Sequence, residues 1–327
     1  MTKQTLRIAT RTSELALWQA KFVANHLKKH HANLSIELLS MKTKGDKLLD
    51  TPLAKIGGKG LFVKELEQAL LENRADIAVH SMKDVPAQVP DTLCMGAVGA
   101  RACPWDALVG PYANLSELPQ GARVGTSSLR RLVQLRAARP DLDIRPLRGN
   151  VNTRLAKLEQ TELHAIILAS AGLERLDMAH RISAKLDICQ GWLPAFAQGT
   201  LGIECRENDQ QTLDLIRCFD HTQSHLVTLA EREVNQALDG GCQVPMGGYA
   251  QWLDEHRMQL DAFVSNGKQT IRAQGVTQFA PNQTWEAKSA IAHTLGQQVA
   301  NQLKALKATQ VLDDARAYFA HLLATKS

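Results

Sequence analysis

Twice within its first 190 or so residues the chain alternates short apolar strands with amphipathic helices, which restricts it to an α/β architecture. In the first round a strand over 6–10 is followed by a helix that Ser13 caps and that runs to about Lys29. A second strand over 34–43, a polar glycine-containing stretch over 42–60 and an amphipathic helix over 61–73 come next. An apolar strand over 75–80 then ends at Ser81-Met-Lys-Asp84. The second round places strands over 123–125, 144–147 and 165–169, with one helix ending near Ala138 before Pro140 and another over 151–160. The two rounds even start alike, Arg7-Ile-Ala-Thr10 before Arg11 and Ser13 against Arg123-Val-Gly-Thr126 before Ser127 and Ser128. The expectation is two α/β lobes on parallel sheets, whose polar loops at the carboxyl ends of the strands face one another across a cleft.

A glycine-rich apolar segment over 193–205 is placed to return the chain to the first lobe, and from about His221 the pattern changes. A helix to Leu238, alternating strands near 249–253, 258–264 and 270–276, and closing helices over 285–306 and 311–324 predict a smaller C-terminal α+β domain. The predicted division is 1–100 with 197–219 for one α/β lobe, 101–196 for the second and 220–327 for the third domain.

Charge is concentrated rather than spread. Between Gly121 and Arg154 there are eight arginines, two aspartates and no lysine, although net charge over 327 residues is only +5. The arginines surround two loops, Gly125-Thr-Ser-Ser-Leu-Arg-Arg131 and Leu147-Arg-Gly-Asn-Val-Asn-Thr-Arg154. Both loops open helices, where a cation opposes the macrodipole by ~0.3–1 kcal/mol, so an anion is needed nearby. A guanidinium fork holds carboxylate or phosphate bidentately, which a lysine point charge does not do. Arg130, Arg131, Arg148 and Arg154, beside Gly, Ser and Thr at these junctions, are the ligand candidates, and Arg136, Arg139 and Arg145 read as solvated surface charges.

Other features narrow the chemistry. Asp84 ends an apolar strand, where a carboxylate serves as general acid/base, balances a developing cation, or simply pairs with Lys83 or starts a turn before Pro86. His80 and Ser81 lack the Gly-x-Ser-x-Gly elbow of a hydrolase. Gly57-Gly-Lys-Gly60 misses the phosphate-loop spacing and reads as a lid carrying Lys55 and Lys59. Of six cysteines, none forms a CxxC pair; Cys189, Cys205 and Cys218 read as small buried residues, and Cys242, between two glycines and a Gln-Val-Pro turn, as an accessible thiol. The cysteines show no metal-ligand spacing, and the expectation is no metal. An aromatic content of 5% tells against single-strand nucleic-acid binding, and no apolar run approaches the ~18 residues of a membrane span. A cytoplasmic protein with no signal peptide, no nucleic-acid or membrane partner and no obvious oligomer stripe, hence a monomer, is expected.

Together, Arg7–Ser13, Leu15–Ala20, Gly57–Leu71, Asp76-Ile-Ala-Val-His-Ser-Met-Lys-Asp-Val-Pro86, Gly125–Arg131, Leu147–Arg154, Gly199–Arg206 and Gly240-Gly-Cys-Gln-Val-Pro245 closely resemble the porphobilinogen deaminase (hydroxymethylbilane synthase) family. The resemblance spans nearly the whole chain. It implies two periplasmic-binding-protein-like α/β lobes plus the smaller domain, and a transferase joining four porphobilinogen molecules head to tail with loss of ammonia to give hydroxymethylbilane for haem and other tetrapyrroles. It implies a dipyrromethane cofactor held through a thioether to Cys242. It further implies that Ser81, Lys83, Asp84, Thr126, Ser127, Ser128, Arg130 and Arg131 bind that cofactor, with Asp84, Lys83 and Cys242 in the catalytic set. Arg11, Ser13, Gln19, Lys55, Lys59, Arg148, Arg154, Arg175 and Gln198 would then serve porphobilinogen or the growing chain. Loss of ammonia leaves an azafulvene electrophile, and attack on it puts positive charge on pyrrole nitrogens that Asp84 would balance. The chain departs from the family pattern at Glu14, at Cys103-Pro-Trp-Asp106, at Asn152, and at Ala197, where glycine is usual. The competing reading is a two-lobed organic-anion binding protein without catalysis.

Overall fold

The computed structural model describes residues 4–47, 60–240 and 244–324. They pack into two compact units, one from the described parts of Met1–Leu49, Gly58–Ala102 and Gly199–His225, the other from those of Cys103–Gln198 and Leu226–Ser327.

The first unit is a five-stranded sheet covered on both faces. Strand β1 (Gln4–Arg11) leads to helix α1 (Glu14–His30), then β2 (Leu34–Met41), a short α2 (Lys44–Lys47) and α3 (Lys64–Leu71), then β3 (Ile77–Ser81) and β4 (Leu93–Val98). Side chains alternate across a strand, so Leu6 and Ile8 pack with Ala20, Val23 and Leu27 of α1, whereas Ala9 and Ala78 meet Leu66, Ala69 and Leu70 of α3. Burial on both faces explains the nearly continuous apolar strands.

The second unit repeats the plan. Here β5 (Asp106–Val109) precedes β6 (Arg123–Gly125), α4 (Leu129–Ala138), β7 (Asp143–Arg145), α5 (Val151–Gln160), β8 (Ala165–Ala169), α6 (Ser170–Arg175) and β9 (Ala184–Leu186). One face buries Val124, Leu135, Ile167 and Trp192, and the other Leu147, Leu155, Ile166 and Leu173. The chain re-enters the first unit through β10 (Leu201–Arg206) and α7 (Gln210–Ile216).

Neither sheet is purely parallel as the strand–helix alternation predicts. The orders are β2-β1-β3-β10-β4 and β7-β6-β8-β5-β9, and β10 and β5 each run antiparallel to both neighbours. The three strands joined by helical crossovers are parallel because a crossover restores direction. The reversed strand lies outside the crossovers in each case, β10 returning from beyond the second lobe and β5 opening it, so local periodicity carries no trace of its direction.

After α8 (Thr222–Ala237), an antiparallel meander of β11 (Met246–Trp252), β12 (Arg257–Ser265) and β13 (Thr270–Gln278) packs on α9 (Trp285–Ala305) and α10 (Ala308–Ala324). This smaller sheet belongs to the same unit as the second lobe. Val133 of α4 and Leu193 share a core with Phe263, Ala315 and Phe319, and the Glu231 carboxylate accepts from the N–H groups of Ala197 and Ala250. Ala197 sits at φ +58°, a left-handed conformation that a side chain disfavours.

Candidate active site

In the first unit the site residues come from three places in the sequence. Ser13 caps α1, its Oγ accepting from the Ala16 N–H at 3.4 Å, so this hydroxyl also sets where the helix begins. Gln19, buried on the first turns of α1, donates to Ser81 Oγ at 2.8 Å and thereby ties the helix to the end of β3. Asp84 follows immediately, half-buried in the 3-10 turn Met82–Asp84 that terminates β3. Among the described residues no donor reaches its carboxylate, which is available for an incoming N–H. Half-buried Lys83 shares that turn.

Arg11, at the end of β1, forms a two-pronged pair with Asp46, and its guanidinium lies 4.5 Å from the centre of the Phe62 ring. Burial works to raise the Asp46 carboxyl, but hydrogen bonds from Arg11 and Thr43 override it and hold it below the ordinary carboxylate range. Sequence reasoning did not select Asp46 or Phe62, since neither stands in a pattern that signals its partner. His80 has no hydrolase role: it is buried, with Nε2 2.8 Å from Glu204 Oε2 across the β3–β10 pair.

In the second unit the loop Thr126–Ser128 is a compact knot. The Thr126 N–H donates to the Arg145 carbonyl, Ser127 Oγ accepts from the Leu147 N–H, and Ser128 caps α4. Asn150 caps α5, and Arg154 Nε donates to the Gly149 carbonyl, so both basic loops do open helices. Gly125 is required ahead of the knot, since a Cβ there would lie 2.9–3.0 Å from Ile166, Leu147 and Leu163 side chains.

Arg130 and Arg131, named above as ligand candidates, do not stand free at the head of α4. Both are 5% exposed and close on Asp106, which is fully buried at the start of β5. Arg130 donates to Asp106 at 2.7 and 3.2 Å, Arg131 at 2.7 and 3.1 Å, and Trp192 Nε1 at 2.8 Å. Gln198 joins them, bonding Asp106 at 3.0 Å and the Pro104 carbonyl at 2.7 Å. The anion demanded by cations at the head of α4 is therefore partly internal. Burial pushes the Asp106 carboxyl up, and the charges of Arg130 and Arg131 overcome this to place it far below the ordinary range. Burial lowers Arg130, with Asp106 opposing. Two guanidiniums against one carboxylate leave this cluster with a net positive charge. Arg175, at the end of α6, is pushed down to about 10 by burial, only partly offset by Glu174. A cation desolvated in this way gains from an added anion.

Other expectations also shift. Arg139 is no idle surface charge, because it pairs with Asp141 and donates to the Leu115 and Leu118 carbonyls. Cys189 is exposed, whereas Cys205 is buried and Cys218 half-buried. Cys242, Lys55 and Lys59 lie outside the described residues. No described helix is long and apolar enough to cross a membrane.

The donor set suits a polycarboxylate: hydroxyls and arginines of the second lobe, and a buried Ser170 Oγ beside Asp106's strand that has no hydrogen-bond partner among the described residues. Residues 6–214 match the family model "Porphobilinogen deaminase, dipyromethane cofactor binding domain", and 225–305 match "Porphobilinogen deaminase, C-terminal domain". Among solved structures, the methionine-binding protein MetQ is similar at 14% identity and TM-score 0.43, covering 67% of this chain and 91% of its own. A nutrient-binding protein from Burkholderia cenocepacia bound to methionine aligns at 12% identity and TM-score 0.42, covering 65% and 91%.

Proposed function

The chain belongs to the porphobilinogen deaminase family, and on that premise we propose which of its residues carry the reaction. The activity is that of a hydroxymethylbilane synthase, a transferase that joins four porphobilinogen molecules with loss of ammonia and uses a dipyrromethane cofactor. When bound, that cofactor supplies the pyrrole terminus on which the product grows.

Asp84 is the catalytic carboxylate. Its placement supports this: it ends β3, half-buried, with no competing donor among the described residues. Each condensation moves positive charge onto pyrrole nitrogens and then releases a proton. A carboxylate held beside an N–H stabilises that charge and takes up or returns the proton. Lys83 in the same turn and Ser81 at the end of β3, with Thr126, Ser127 and Ser128 at the head of α4, hold cofactor carboxylates. Arg130 and Arg131 act from behind, their excess positive charge over Asp106 favouring anions at that helix terminus. Arg11, Ser13, Gln19, Arg148, Arg154, Arg175 and Gln198, with Lys55 and Lys59, serve porphobilinogen and the growing chain, whose acetate and propionate groups add two carboxylates per unit. Cys242 is the attachment point. A cytoplasmic monomer of three domains, 1–100 with 197–219, 101–196 and 220–327, without nucleic-acid or membrane partners, completes the reading.

Intact mass under denaturing conditions tests the attachment: extra mass equal to two linked pyrroles is expected, and none in Cys242→Ser. An unmodified protein with full activity overturns it. Turnover of Asp84→Asn is expected to fall at least ~100-fold, the low end for loss of a general acid/base, with unfolding unchanged. Near-normal turnover removes Asp84 from the mechanism.

A further inference from the structure

A second cluster of reactive side chains lies in the first unit and is unused by the transferase chemistry. His26 and His30 are four residues apart on α1 and so project from one face of the helix. Their rings stack, with centroids 4.6 Å apart and planes at 23°. Cys218, from the short helical segment Arg217–Phe219 that follows α7, meets that face. One ligand atom from each of His26, His30 and Cys218 lies within 4.8 Å of the others. The bond lengths of tetrahedral zinc, about 2.0–2.1 Å to nitrogen and 2.3 Å to sulfur, set ligand atoms roughly 3.3–3.6 Å apart, so binding must draw these side chains together and splay the stacked rings.

The surroundings favour metal binding further. His26 Nε2 lies 3.0 Å from the Cys218 carbonyl, and His30 Nδ1 lies 3.0 Å from the His26 carbonyl. Carbonyls only accept, so each ring donates there, and the lone pairs left for a metal are those of His26 Nδ1 and His30 Nε2. That arrangement, an imidazole oriented by a backbone carbonyl, is how proteins commonly prepare a metal-binding histidine. The Phe219 ring meets His26 edge-on at 5.3 Å and limits its rotation. His31 Nε2 stands 3.7 Å from Cys218 Sγ but donates to the Leu215 carbonyl, leaving the fourth position to water. A cation takes Cys218 as the thiolate and displaces its proton.

We propose that His26, His30 and Cys218 form a zinc-type site, binding a divalent ion of borderline softness through two imidazoles and one thiolate. Two nitrogens and a sulfur match zinc or cobalt rather than magnesium or calcium, which take oxygen ligands. The ion would clamp the last turns of α1 to the 217–219 segment.

Cobalt(II) titration of the metal-free, cofactor-bearing enzyme tests this. One equivalent should produce tetrahedral d–d bands and a thiolate-to-cobalt charge-transfer band, both erased by zinc. Cys218→Ser should abolish the charge-transfer band, and exposed His30→Ala should weaken cobalt binding at least ~10-fold, as even outer-shell losses do. Cys189→Ser, which removes an exposed thiol elsewhere, should change neither. The assignment is overturned by the absence of a thiolate band, by its survival in Cys218→Ser, by its loss in Cys189→Ser, or by unaltered affinity in His30→Ala. Circular dichroism of each variant must match the parent; should His30→Ala unfold, His30→Gln replaces it under the same criterion.

Discussion

Asp106→Asn removes one negative charge and almost no volume, so it isolates what that charge does beneath two buried guanidiniums. The carboxylate accepts six hydrogen bonds: two each from Arg130 and Arg131, one from Trp192 and one from Gln198. An asparagine keeps one acceptor oxygen and points an NH2 group at donors, so even with its oxygen in the Oδ1 position the contacts from Arg130 and Trp192 to Oδ2 turn repulsive. Charge-assisted bonds contribute about 1.5–3 kcal/mol each, but they share one network and do not sum. The better guide is the cost of breaking a buried ion pair, about 3–5 kcal/mol, because the partner charge stays desolvated. Here two cations are stranded, both 5% exposed, so the upper half of that range applies. Urea unfolding of parent and variant at neutral pH, followed by far-ultraviolet circular dichroism, measures it. The pH dependence carries a definite sign: the folded carboxyl titrates below its unfolded value of about 3.9, so its contribution is complete above that value and is lost as pH falls through the folded one. Asp106→Asn should therefore be less sensitive to strong acid than the parent. A loss under ~1 kcal/mol, the level of an exposed pair, would refute the argument that the cluster is a desolvated one.

Three further outcomes are expected. Asp84→Glu should keep part of the activity, because its charge survives while its geometry shifts, and steady-state turnover beside Asp84→Asn checks the order. Ala197→Gly should stabilise by about 0.5–1 kcal/mol: relief of a left-handed alanine contributes ~1–2 kcal/mol, and glycine's greater unfolded-state freedom offsets part of it. A lower urea midpoint for that variant would contradict the strain argument. Gly125→Ala should destabilise by about 1–3 kcal/mol through overpacking against Ile166, Leu147 and Leu163, and should displace the Thr126–Ser128 loop in a crystal structure.

Features that depend on near neighbours could be read directly from the chain. The Ser13 cap, the helices that open at the two basic loops and the apolar strands between them follow from hydroxyl placement and from periodicities of 3.6 and 2. Asp84's position at a strand end, and the two basic loops, follow from the same local signals. Sequence alone thus determined the α/β class, the smaller third sheet, the family and the roster of polar groups.

Tertiary structure decided what those groups do. Asp106 is 24 and 25 residues from Arg130 and Arg131 and 92 from Gln198, distances over which no spacing rule operates. The arginine cluster therefore looked outward in sequence, and in the fold it closes on an internal carboxylate with charge to spare. The reversed strands β5 and β10, the burial of His80 on Glu204, the pairing of Arg11 with Asp46, and the meeting of Cys218 with His26 and His30 share that cause. Each joins groups far apart along the chain, brought together because two-sided sheets must bury both faces, and burial obliges every charge it captures to find a partner.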